Sequence, residues 1–119
     1  MKKIFFTLSP FLLYTVSGNS MLPKYKSGDT VVVQRILFRL KKNNVVILTH
    51  PQTGRLLLKR IKDIKQKKYF VIGDNEKEST DSHSFGWVNG QNIIGKVLFD
   101  GYTKRSDGVS NPVRRAKVP

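Results

Sequence analysis

The sequence predicts a small, mainly β domain, built as a folded sheet or a barrel-like closure. Three observations carry this expectation. No segment sustains a helical period; short β-branched or aromatic runs recur along the chain; and turn residues bound most of these runs. A chain of 119 residues with 39% hydrophobic content is one domain by size, and long enough to bury a core.

The first element is the least settled. "MKKIFFTLSPFLLYTVSG" sets two lysines before an apolar stretch and small residues, as a signal peptide does. Ile4 to Val16 is interrupted by Pro10 and falls short of the roughly 20 residues that span a bilayer. Three readings stand: a cleaved signal, a shallow membrane contact, or a first strand. A strand over Phe11–Val16 is favoured, because the turn "SGNSMLP" that follows is suited to presenting Ser20.

Further strands follow in order. Ser27-Gly28-Asp29 is a turn, and Thr30–Gln34 is β-branched. "RILFRLKKNN" alternates loosely and ends in a charged turn. "VVILT" is a short apolar strand, "HPQTGR" a hairpin loop, "RLLLKRIKDI" and "KKYFVIG" two more strands. "DNEKESTDSHSFG" is polar and turn-rich, and "IIGKVLF" is the last clear strand. From Asp100 the chain turns basic and loses periodicity, as a loose tail does.

Composition excludes several chemistries. The absence of cysteine removes disulfides, thiolate zinc sites and a cysteine nucleophile. His50 and His83 are the only histidines, too few for a three-histidine metal site. The acidic cluster from Asp74 to Asp81 has no metal-ligand spacing, so no metal or cofactor is expected. His50, beside Pro51, reads as a surface residue, and Trp87 as core or groove lining. The net charge of +14 suits an anionic partner: nucleic acid, an anionic membrane or an acidic protein.

A serine nucleophile needs a base, and neither histidine lies in a recognisable triad pattern. A neutral lysine can serve instead. A free lysine is only about 0.4% neutral at pH 8, and burial among apolar groups raises that fraction. In "LLLKRI", alternation places Lys59 on one face with Leu57 and Ile61, and Arg60 on the other with Leu58 and Lys62. Lys59 is therefore the best-desolvated lysine of the chain. The competing reading is an edge-strand lysine that blocks aggregation.

"SGNSMLPKYKSGDTVVV", "LLLKRI" and "GDNEKESTDSHSFGWV", in this order, resemble the boxes of the signal peptidase I superfamily of Ser/Lys endoproteases. The resemblance runs from about Ser17 to Phe99, and the third box is its most specific part. It implies Ser20 as nucleophile and Lys59 as general base. It also implies an oxyanion-binding turn at Gly18, Asn19 and Ser20, with the Ser20 N–H as donor. Met21 and Pro23 border the substrate, Ser79 orients the lysine amine, and Asp81 structures the loop through an ion pair. Gly73, Asp74 and Asn75 form the turn that delivers that loop.

The chain departs from the pattern in places. Gly18 stands where many members carry a second serine that donates to the oxyanion. His83 stands where an arginine often pairs with the loop aspartate, a pH-sensitive and weaker substitute. "KDIKQKK" replaces a Gly-Leu-Pro-Gly-Asp segment, and neither the large second domain nor a full membrane anchor is expected. A compact chain with "STDS" is most similar to the nickel-type superoxide dismutase maturation proteases.

The expected organisation is a basic and apolar segment over 1–10, in shallow contact with an anionic membrane, then a catalytic domain over 11–99 and a basic tail over 100–119. The expected function is cytoplasmic removal of an N-terminal leader from a precursor bound as an extended segment, with nickel-type superoxide dismutase as the precursor. The alternative is a membrane-associated signal peptidase I acting on secretory signal peptides. A self-cleaving repressor-like domain is disfavoured by the foreign third box. A nucleic-acid-binding module is disfavoured because the aromatic residues form no stacking pattern. The sequence does not give the oligomeric state.

Overall fold

The structure, a computed structural model, describes residues 10–35, 39–78, 80–100, 102–104 and 110–112. The segment 1–9, Ile36–Phe38 and Ser79 lie outside these residues.

Seven strands form one antiparallel sheet: β1 (Phe11–Thr15), β2 (Thr30–Gln34), β3 (Val45–Thr49), β4 (Leu56–Lys65), β5 (Lys68–Ile72), β6 (Val88–Asn89) and β7 (Ile93–Asp100). Their order is β1-β2-β7-β3-β4-β5-β6, and the sheet curls into a half-barrel. The fold is mainly β, as the sequence predicts. Among the described residues, one helical turn, α1 (Ser82–Phe85), and 3-10 turns at Glu76–Glu78 and Gly90–Asn92 accompany the sheet. The stretch after Asp100, expected as a loose tail, contributes β8 (Tyr102–Lys104) and β9 (Ser110–Pro112), which pair with one another.

The curl has local causes. A β-bulge puts two residues opposite one and increases twist. Strand β7 bulges twice: its pairing with β3 passes over Ile94, and its pairing with β2 passes over Leu98. Strand β4 bulges at Lys62 against β5. At Gly95 a Cβ would lie 2.5 Å from both the Gln34 carbonyl oxygen and a Val33 methyl. Only glycine allows β7 to approach β2 this closely.

The uninterrupted run of β3 follows from burial on both faces. Val45 and Ile47 join Val16, Met21, Tyr25, Val31, Val33 and Leu58 in one cluster. Val46 and Leu48 join Ile61, Val71, Val88 and Ile93 in the other. Strand β4 divides the same way: Leu58 packs in the first cluster, Leu57 and Ile61 in the second. The period of two therefore aims Lys59 to the side of Leu57 and Ile61, as the alternation in "LLLKRI" predicts. The β4–β5 turn places Gln66 and Lys67 at φ of 50° and 64° without using glycine. Two positive φ values are what a type I′ two-residue hairpin turn requires.

Candidate active site

The chain leaves β1 into a closed loop. The Val16 N–H donates to the Asp29 carbonyl at 2.7 Å, and the Gly28 N–H donates to the Val16 carbonyl at 2.8 Å. These bonds pin both ends of the segment that contains Ser20. Asp29 is buried and turns the exit by accepting from the Lys26 N–H at 3.0 Å. Within the loop the Leu22 N–H donates to the Asn19 carbonyl, and the Tyr25 N–H to the Met21 carbonyl. Gly18 has φ of +83° with open space around it. Among the described residues none accepts from the Ser20 N–H.

Met21 requires a correction. Its side chain is 1% exposed and packs in the first core cluster, so it holds the turn from beneath and presents no surface to a substrate. Pro23 is exposed, but it borders a separate depression with Asp74 and Asn75 rather than the Ser20 cleft.

A second loop grips this turn. The Asn75 N–H donates to the Ser20 carbonyl at 2.8 Å, and the Asn75 amide donates to the Asn19 carbonyl at 3.0 Å. The Asp74 N–H points at the Met21 sulfur at 3.5 Å. Asp74 is itself held by Arg60: Nε and one terminal nitrogen donate to its two oxygens at 2.9 and 2.8 Å. The other terminal nitrogen donates to the Asn43 carbonyl at 2.9 Å. Such a bidentate pair fixes direction as well as distance. The Arg60 clamp is absent from the sequence reading, which placed Arg60 on the far face of β4 without a partner.

Lys59 is 2% exposed. Burial lowers the pKa of its amine, and the nearby Asp81 carboxylate opposes that shift. Asp81 is also buried, and its oxygens accept from the Gly73 N–H and the His83 N–H, each at 3.0 Å. In the second bond it caps α1. The exposed His83 ring approaches it through Nδ1 at 3.1 Å, the pairing expected where the resemblance implies arginine. Ser82, absent from the sequence reading, is buried, and its hydroxyl accepts from the Val71 N–H at 2.8 Å. Asp81 and Ser82 thus anchor the loop to β5 and to Gly73, which follows it. Ser79, the expected lysine-orienting residue, is outside the described residues.

Ser20 and Lys59 line one cleft of about 250 Å³. Gly18 and Asn19 border it with Ser20, and Leu57 and Thr80 adjoin Lys59. The β3–β4 hairpin supplies His50, Thr53 and Arg55 to the same cleft. These three are missing from the candidate residues of the sequence. His50 is half-buried, edge-on to Phe85 at 4.8 Å between centroids, and so is not the free surface group expected of it. Trp87 is partly exposed against Phe70 and takes no part in this cleft. The arrangement places a serine and a buried lysine on the lining of one cleft.

Comparison with known proteins places the chain among peptidases. The chain is 27% identical to signal peptidase IB of Staphylococcus aureus (strain N315), with 81% of each chain covered. It is 26% identical to a probable signal peptidase I-1 of Synechocystis sp., covering 71% of this chain and 67% of that one. Residues 2–98 match the Peptidase S24-like family. The chain belongs to the Peptidase S24-like family and is a peptidase of the serine kind.

Proposed function

We propose that the protein is an endopeptidase in which Ser20 is the nucleophile and Lys59 the general base, and that it removes an N-terminal leader from a precursor protein. The observation that carries this reading is a buried, pKa-depressed lysine lining the same cleft as a serine held on a turn. The substrate lies extended along the edge strand β1, which runs into the Ser20 turn, and adds to the sheet by backbone hydrogen bonds.

The steps follow from these positions. The neutral Lys59 amine accepts the Ser20 hydroxyl proton as Oγ bonds to the scissile carbonyl carbon. The Ser20 N–H donates to the oxyanion that forms. The C–N bond then breaks, and the Lys59 ammonium returns the proton to the leaving amine. Water, giving a proton to Lys59, attacks the acyl ester, and its breakdown restores the Ser20 hydroxyl.

Nickel-type superoxide dismutase is the proposed precursor, supported by the compact catalytic core and the "STDS" box. A second reading, cleavage of secretory signal peptides at a membrane, is favoured by the names of the relatives and by exposed Phe11 and Leu13 on β1. Among the described residues no helix is long and apolar enough to cross a membrane. Incubation of the purified protein with each precursor, with the new N-terminus read by mass spectrometry, separates the two. Cleavage of neither precursor, or cleavage that persists in Ser20→Ala, overturns the proposal.

A further inference from the structure

The Ser20 cleft carries a basic group that the proposed steps do not use. Arg55 sits at the end of the β3–β4 hairpin and lines the cleft with Ser20, Lys59, His50 and Thr53. Its position is fixed by the hairpin's own bonds. The His50 N–H donates to the Arg55 carbonyl at 2.8 Å, and the Gly54 N–H donates to the His50 carbonyl at 3.0 Å. The His50 ring Nδ1 accepts from the Gln52 and Thr53 N–H groups at 3.1 and 3.2 Å. The Arg55 N–H donates to the Thr53 hydroxyl at 3.3 Å. The hairpin backbone is thus set before any substrate arrives, and the exposed Arg55 side chain is what remains to be ordered on binding.

The Arg55 side chain is exposed, and no carboxylate among the described residues pairs with it. No acidic residue is among the described residues that line the cleft. Lys59 must shed its charge to act as a base, whereas a guanidinium keeps its charge. Arg55 is therefore a permanently charged residue lining the cleft that Ser20 and Lys59 line, with a fork suited to a carboxylate.

We propose that Arg55 is a specificity-determining residue, and that the cleft takes an aspartate or glutamate side chain of the precursor close to the scissile bond. This rests on the reading of Ser20 and Lys59 as the reacting pair. The overall positive charge attracts any acidic peptide, so the distinguishing feature is a preference confined to one substrate position and dependent on Arg55.

The test uses matched precursor peptides with Glu, Gln or Lys at each position flanking the cleaved bond. Cleavage efficiency, kcat/KM, is measured for the wild type, Arg55→Ala, Arg55→Glu and, as a control for total charge, the exposed Lys41→Ala. At one position Glu should exceed Gln by about tenfold, the scale of one charge-assisted contact. That preference should vanish in Arg55→Ala, reverse towards Lys in Arg55→Glu, and persist in Lys41→Ala. A preference unchanged in Arg55→Ala, or none at any position in the wild type, overturns the proposal. Binding of the same peptides to Ser20→Ala protein reads the preference without chemistry. Arg55-dependent binding without wild-type cleavage would sink the peptidase reading and, with it, the placement beside a scissile bond, and would leave Arg55 only as a carboxylate-binding residue.

Discussion

Replacement of Arg60 by methionine tests how the Ser20 turn is held. The change keeps an unbranched apolar stem and removes three charged donors: two on Asp74, at 2.8 and 2.9 Å, and one on the Asn43 carbonyl, at 2.9 Å. Exposed ion pairs contribute about 0–1 kcal/mol, whereas removing one partner of a buried pair costs about 3–5 kcal/mol. The Arg60 and Asp74 side chains are 26% and 18% exposed, between these limits but nearer the buried case. A loss of about 2–3 kcal/mol is expected, roughly 10 °C in Tm for a domain of this size. Arg60→Lys, which keeps the charge but not the fork, should lose about half as much. The functional consequence passes through Asn75, whose N–H holds the Ser20 carbonyl. Loosening that contact misplaces the nucleophile, so kcat should fall on the order of tenfold while KM changes little. Urea and thermal unfolding measure the first effect, and steady-state cleavage of a leader peptide the second. A Tm within about 1 °C of wild type would refute the clamp. A lowered Tm with unchanged kcat would show that the clamp stabilises the fold without positioning Ser20.

Three further outcomes follow from the site. Asp81 favours the charged form of Lys59, so Asp81→Asn should lower the lysine pKa further and move the rising limb of the pH–rate profile to lower pH; an unmoved limb would show no electrostatic link. Lys59→Met should abolish cleavage yet stabilise the fold at neutral pH, because a buried amine with a depressed pKa penalises the charged form. The gain should shrink, by up to about 1.4 kcal/mol per pH unit, as pH rises from the depressed pKa towards about 10.4, and paired urea titrations across that range check the sign. Gly95→Ala should disrupt the β2–β7 pairing, since its Cβ would meet backbone at 2.5 Å; Gly18→Ala meets open space and should cost only the roughly 1 kcal/mol of a left-handed residue. Calorimetric Tm values for the two variants compare these losses.

The strands were legible because their apolar runs are short and most are bounded by turn residues, and the face of Lys59 followed from a period of two. What escaped the sequence depends on tertiary closure. Arg60 and Asp74 are distant in the chain and meet only when β4 and β5 pair. The His50–Arg55 loop reads as an ordinary hairpin, and its place beside Ser20 depends on how the sheet curls. Met21 lies next to the proposed nucleophile in sequence yet faces the core, because the turn reverses there. The bulges at Ile94, Leu98 and Lys62 leave no residue signature, and the β4–β5 turn adopts two positive φ values without glycine. Ser82 looked like one more polar loop residue, because its partner is a backbone N–H of β5.

The most direct test of the Ser20–Lys59 pair is trapping of the acyl-enzyme. Wild-type protein is mixed with a leader peptide activated as an ester, quenched in acid, digested and mapped by mass spectrometry. One adduct is expected, on the Ser20 hydroxyl, that is lost in Ser20→Ala and fails to form in Lys59→Met. An adduct on another residue, or one that forms on Ser20 at an unchanged rate in Lys59→Met, would contradict the Ser20–Lys59 pair.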